Sequence, residues 1–195
     1  AGLVLLAAET LGVEIDTVPL QWRENPFPPE AGLPDDFGRE ATRLAVAIER
    51  ARPFLDRAVA SVPADRRQVL VSSLSAILLN RGQDRLDPRL FEDADKFDLQ
   101  ALLQATFLVA RAADEAIPGL AAVPAGSVGL RRLKLPIGQV LFAGEAEESF
   151  NREDLEDSVL VISLGGKSRY LGPLAAAKEG QIRLVIDLSR DVSIQ

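Results

Sequence analysis

The sequence predicts an α+β protein, an N-terminal helical bundle followed by a C-terminal β-repeat, solenoid-like sheet, and three observations predict it. Between positions 35 and 122, apolar residues recur at three, four and seven residues, the spacing of one buried helical face. After position 123 the period shortens towards two, and β-branched residues gather between glycines as strands require. Near the C-terminus, Val161-Ile162-Ser163-Leu164-Gly165-Gly166 aligns with Val185-Ile186-Asp187-Leu188-Ser189-Arg190, 24 residues on, and a fainter copy begins at Val140-Leu141-Phe142-Ala143-Gly144. The first copy leads to Phe150 and the second to Tyr170, while the third reaches Ile194 at the matching place. One strand and turn cannot bury its own apolar face, so such units stack on neighbours. The expected organisation is a helical domain over residues 1–122, with a Pro-rich strap at 13–34, and a β-repeat domain over 123–195.

Leu3 to Leu11 reads as a short helix stopped by Gly12, a residue suited to the left-handed conformation just past a helix end. The strap holds Pro19, Pro26, Pro28, Pro29 and Pro34, a density that excludes helix and central strand alike. It is expected to lie across the helical domain on Trp22 and Phe27. Asp35 or Asp36 is expected to cap the next helix, whose inward face carries Phe37, Ala41, Leu44, Ala45, Ile48 and Leu55. Pro53 is expected to kink or split it before it ends near Pro63. Asp65 opens another helix, with Leu70, Leu74, Ile77 and Leu78 inward, ending near Asn80 and Gly82. Asp98 caps a third, limited by Pro118, with Leu99, Leu102, Leu103, Thr106, Ala110 and Ala113 on its inner side. Mutual packing of these faces makes a small bundle. Val123 to Gly129 marks the junction. Beyond it, the alternation of Leu130, Leu133, Leu135, Ile137, Val140 and Phe142 predicts strands, as do Val159–Leu164 and Ile182–Leu188. Leu171 to Glu179 reads as a loop or helical turn.

Composition excludes several mechanisms. The chain has no His, Cys or Met, so it carries within itself no Ser-His-Asp triad, imidazole base, thiol nucleophile, disulfide or thiolate metal site. The missing Met gives the expectation that the chain is processed, trimmed or excerpted. With 29 acidic against 22 basic residues the net charge is −7, opposite to what phosphate neutralisation demands, so no nucleic-acid partner is expected. The apolar run Gly2 to Ala8 is too short to span a bilayer and reads as a buried helix; no transmembrane segment is expected.

Each chemical motif lacks an essential member. Pro26-Phe27-Pro28-Pro29 meets a loose PxxP pattern common in Pro-rich loops. Gly165-Gly166-Lys167-Ser168 resembles the end of a phosphate-binding loop, yet Val161 stands where that loop needs its first glycine. A turn between strands is the expected reading. Ala125-Gly126-Ser127-Val128-Gly129 approximates a nucleophile elbow without a histidine partner. The stretch Glu145, Glu147, Glu148, Glu153, Asp154, Glu156 and Asp157 is the densest in carboxylates, which hard cations such as calcium favour. Its expected role is a solvated loop, with Glu147, Glu148 and Asp154 the ligands of the alternative calcium reading. Glu92, Asp93, Asp95 and Asp98 suit the positive end of a helix. Arg131, Arg132 and Lys134 form a small basic patch, expected to make salt bridges on a strand surface.

The C-terminal 60 or so residues also resemble a set of bacterial repeat proteins, mostly uncharacterised, whose units read as an apolar strand, Asp-Leu, then Gly-Gly-Asp-Asp-x-Tyr. Leu160 to Tyr170 keeps the strand, Leu164, both glycines and the tyrosine, with Lys167 and Ser168 where the aspartates would be. Val185-Ile186-Asp187-Leu188 keeps the strand and Asp-Leu, and Ala143 to Phe150 is similar to a longer first unit. A helical region precedes the repeats in that set, and the resemblance implies no catalytic activity. No catalytic residue and no cofactor is therefore assigned. The expected function is a non-enzymatic structural or protein-binding subunit whose β edge, at Val185, Ile186, Leu188 and Ile194, meets further repeats or a partner chain. The alternatives are a carboxylate-based or cation-dependent hydrolase or lyase built on residues 145–157, or a fragment of an enzyme whose active site lies elsewhere.

Overall fold

The computed structural model describes residues 10, 12, 26–67, 69, 89–145, 148–172, 181–189 and 191–194, with only the backbone of 90, 91 and 191–194. The described chain is α+β, with helices in its N-terminal half and strands in its C-terminal part. Four helices are α1 (Asp35–Val59), α2 (Arg89–Ala94), α3 (Leu99–Ala122) and α4 (Arg152–Glu156). Seven strands follow the order β1 (Arg131–Leu135), β2 (Gly138–Ala143), β3 (Glu148–Phe150), β4 (Ser158–Ser163), β5 (Lys167–Tyr170), β6 (Leu184–Asp187) and β7 (Asp191–Ile194).

The strands divide between two sheets. One has the order β1-β2-β4-β6 and the other β3-β5-β7. β1 and β2 form an antiparallel hairpin closed by Pro136 and Ile137; every other pairing is parallel. The chain therefore crosses from the first sheet to the second and back. Val161 lies opposite Val185, 24 residues on, and Phe150, Tyr170 and Ile194 occupy one column across β3, β5 and β7.

Two apolar layers hold the sheets in place. The first lies between the helices and the β1-β2-β4-β6 sheet, joining Phe37, Leu44, Ile48 and Leu120 to Val140, Phe142, Leu160, Ile162 and Ile186. The second lies between the sheets, where Leu141, Ala143 and Val161 meet Phe150, Leu155 and Tyr170. β4 is covered on both faces, and all six of its residues are buried. This is why Val159–Ile162 is an apolar run without the alternation of a half-exposed strand.

The helical half departs from the sequence reading at several points. Pro34, and neither Asp35 nor Asp36, occupies the N-cap of α1; both aspartates sit in the first turn, where negative charge suits the helix dipole. Pro53 lies inside α1, which remains one helix to Val59, and Pro118 lies inside α3, which runs to Ala122. Asp98 caps α3 as expected, its Oδ1 accepting from the Ala101 N–H at 2.9 Å. The inward face of α3 is different. Ala101, Ala105, Leu108, Val109, Ala112, Ala116 and Leu120 are buried, while Leu99 is 61% exposed and Thr106 faces solvent. Alanine and leucine alternate so closely in this helix that two faces qualify on apolarity, and α1 takes the small-residue face because it permits closer approach.

Phe27 also finds a different partner. It is buried edge-on against Phe142 of β2, with ring centroids 5.4 Å apart, so it anchors its segment to the sheet as well as to the helices. Gly12 has φ 64, the left-handed value anticipated for it. Trp22, most of the Leu3–Leu11 helix, the helix face at Leu70, Leu74, Ile77 and Leu78, and residues 173–180 lie outside the described residues. Among the described residues no helix is long and apolar enough to cross a membrane.

Candidate functional site

The feature that offers chemistry to another molecule is the terminal strand β6. Leu184, Val185 and Ile186 make it a β-favouring segment, and among the described residues it pairs only with β4, in parallel. Just past it, the Leu188 N–H donates to the Ser163 carbonyl at 2.8 Å. Backbone groups of successive strand residues point to opposite sides, so those of Leu184, Ile186 and Leu188 face β4. Those of Val185 and Asp187 point the other way. Among the described residues no strand lies opposite that outer row, and β7 closes the second sheet on the same side.

Two of the other edges are blunted. β1 carries Arg131, Arg132 and Lys134, charges that discourage a further strand, and Arg131 Nε ties it to the Ala31 carbonyl at 3.1 Å. β3 is three residues long. Among the described residues β6 and β7 are the two edges with an uncharged centre, Val185–Ile186 in one sheet and Val192–Ser193 in the other.

The side chains expected to form the partner surface have other duties. Ile186 is 5% exposed and belongs to the core under the helices, where Leu188 also packs. Val185 packs against the layer between the sheets. Ile194 is described in its backbone, which pairs at the Tyr170 position. What the edge presents is main chain more than an apolar stripe.

Polar groups brace the strand at both ends. Before it, Arg183 donates from Nε to the Ser158 carbonyl at 3.0 Å and from Nη2 to the Glu156 carbonyl at 3.1 Å. Burial pulls its guanidinium down from the ordinary value, against the opposing charge of Glu156. At its far end, Asp187 Oδ2 accepts from the Tyr170 hydroxyl at 2.5 Å and Oδ1 from the Ser189 N–H at 2.8 Å. Burial, then the Asp187 carboxylate, raises the Tyr170 pKa above its ordinary value. Ser163 and Ser168 share a buried hydrogen bond of 2.8 Å nearby. With both Asp187 oxygens engaged and the phenol held protonated, this cluster joins the sheets. An apolar groove of about 340 Å³ borders the strand on its helical side, lined in part by Leu102, Val109, Ile182 and Leu184.

No protein-family model, curated protein or solved structure matches this chain. Its own geometry carries the functional reading.

The other candidates resolve into structural roles. Asp154, from the alternative cation set, accepts from Arg132 Nε at 2.8 Å and Nη2 at 3.1 Å, and closes a capping box with Asn151 at the start of α4. The Arg132 guanidinium holds the Asp154 carboxyl below the usual carboxylate range. Glu148 lies in β3, and Glu147 is outside the described residues. Among the described residues no three His, Cys, Asp or Glu side chains converge on a point where a metal would bind. Ser127 Oγ donates to the Pro124 carbonyl at 2.6 Å within a 3-10 turn. Gly165-Gly166 turns into β5 and no helix follows it, so the context of a phosphate loop is missing. A hollow of about 270 Å³ beside α1 contains Asp36, Arg39 and Glu40, but Asp36 pairs with Arg39, and Glu40 Oε2 lies 3.0 Å from Arg43.

Of the features at the edge, the sequence reading missed Arg183 and the Tyr170–Asp187 bond. Asp187 carried a signal, because the alignment of the two segments sets it against Ser163, the position it faces in the sheet.

Proposed function

We propose that this protein is a non-enzymatic, protein-binding unit whose C-terminal strands form equivalent stacked rungs, and that the rungs extend by backbone pairing at β6. The observation that carries this reading is the outward main-chain groups of Val185 and Asp187 on a strand that has one neighbour among the described residues. An exposed, uncharged edge is a template for an added strand, and strand addition is a recurring mode of protein recognition. The in-register columns support equivalence of the rungs, since Val140, Leu160 and Leu184 align in one sheet and Phe150, Tyr170 and Ile194 in the other. The charged edge at β1 and the short one at β3 give the extension a direction.

Panning a displayed library of short extended peptides against the protein tests this function. Binders enriched on the wild type and lost on Val185→Pro are expected, because proline removes the outward N–H without touching the bonds to β4. Failure to enrich any peptide that distinguishes the two proteins would overturn the reading.

A further inference from the structure

Beside β6, on its helical side, runs a groove of about 340 Å³ walled by Leu55 of α1, Leu102, Ala105 and Val109 of α3, and Ile182 and Leu184 of the strand and its approach. We infer that this groove binds a small apolar molecule carrying one hydrogen-bond donor, a hydroxyl or an amide N–H, with the Gln181 side chain as the acceptor. The inference goes beyond strand addition and does not depend on it.

The apolar half of the argument comes from α3. α1 packs on the alanine-rich side of that helix, while Leu102, Val109 and Ala110 carry apolar surface round to a second side that lines the groove. A helix apolar on more than one side is built to be covered on more than one side. The volume lies within the range of small-molecule sites. An apolar cavity of about 150 Å³ holds benzene, so this one has room for a molecule of roughly twice that size.

The polar half comes from an accounting of the groove's hydrogen-bonding groups. The Thr106 hydroxyl donates to the Leu102 carbonyl at 2.9 Å, and Arg183 is engaged with the Ser158 and Glu156 carbonyls. Gln181 Oε1 is different. It is buried, and among the described residues it has no hydrogen-bond partner. A buried amide oxygen left unpaired is costly, and nearly all such groups in folded proteins are satisfied. A single water serves such a group well only with two to four polar partners, which an apolar groove does not supply. A docked helix brings no donor either, because its own carbonyls take its N–H groups. An apolar molecule with one donor supplies both what the walls and what the amide oxygen lack.

Two isomers separate this chemistry from simple greasiness. 1-Octanol and di-n-butyl ether contain the same atoms, but only the alcohol has a donor. Titrated into the full-length wild type and followed by amide nitrogen–proton correlation spectra, 1-octanol is expected to give saturable shifts at Ala105, Thr106, Val109 and Ile182. The ether is expected to bind at the same place at least fivefold more weakly. Gln181→Leu should bring the two isomers within twofold of each other, whereas Gln181→Glu, whose carboxylate still accepts, should keep the preference for the alcohol. Equal affinities in the wild type, or shifts confined to residues away from the groove, would overturn the inference, and neither result requires a variant to fold. A Gln181→Leu protein that still preferred the alcohol would overturn the acceptor assigned to Gln181.

Discussion

Tyr170 is the one tyrosine in the chain, fully buried, stacked on Phe150 at 5.2 Å between ring centroids and bonded through its hydroxyl to Asp187. Burial and the neighbouring carboxylate both disfavour the phenolate, so its folded pKa lies above its unfolded one. The stabilisation this gives is complete below about pH 10, the unfolded value, and is lost as pH rises beyond it. Phenolate absorbance should accordingly appear only as the protein unfolds in alkali. Tyr170→Phe should remove that alkaline dependence and cost about 2 kcal/mol at neutral pH, read by urea denaturation. Asp154 works in the opposite sense. Arg132 and the Asn151 amide lower its pKa, so its contribution is present above about pH 4 and is lost as pH falls through the folded value. Asp93, bonded to Lys96 and Arg66, is lowered likewise and adds to the same acid limb. Because the Arg132 side chain is 44% exposed, solvent weakens the pair. Asp154→Asn is expected to cost about 1 kcal/mol at pH 7, with the gap to wild type narrowing in acid.

At the level of elements, strands were more legible than helix faces, and the reason lies in the residues. The glycine-bounded, β-branched stretches at Val159–Leu164 and Ile182–Leu188 contain β4 and β6, and the alternation after Leu130 becomes the β1–β2 hairpin. Asp98 was readable as a cap because a short carboxylate preceding an apolar helix has few competing uses. The inward side of α3 was not readable, since its choice depends on how closely α1 approaches rather than on apolarity. The partition of strands between two sheets was hidden as well, because periodicity within a strand does not name its neighbour. The acidic stretch before β4 looked like a loop and instead supplies a capped helix, α4, tied to β1 through Asp154 and Arg132. Close approach also governs the junction between the helical and strand regions. At Gly144, just past β2, an added Cβ would lie 1.6 Å from the Val128 carbonyl oxygen and 2.4 Å from that of Ala125. These are backbone atoms, so no side-chain rotation relieves the clash. Gly144→Ala should therefore destabilise the fold by about 3 kcal/mol or more, visible as a lowered urea midpoint.

Across the whole molecule, the helical and β parts are joined by one apolar layer. Phe142 of β2 meets Phe37 of α1 with ring centroids 4.9 Å apart and Phe27 at 5.4 Å, and the same cluster takes in Leu120 of α3 and Ile162 of β4. Polar bonds cross the boundary as well, with Arg52 of α1 donating to the Ile137 carbonyl of the hairpin turn at 2.7 Å. If this layer couples the two parts, helix and sheet lose structure together, since unfolding either one strips apolar cover from the other. Circular dichroism at the helical band and the near-ultraviolet signal of Tyr170, read in a Trp22→Phe background because Trp22 absorbs in the same range, report on opposite sides of the molecule, since Tyr170 sits between the sheets and away from the helices. Their urea transitions should coincide. Phe142→Ala removes a fully buried ring from the shared layer and should lower both midpoints by the same amount, equivalent to about 3–5 kcal/mol. If the helical signal instead persisted after the tyrosine signal had gone, residues 123–195 would fold as a unit of their own, and the edge strand β6 would owe its position to its sheet partners alone.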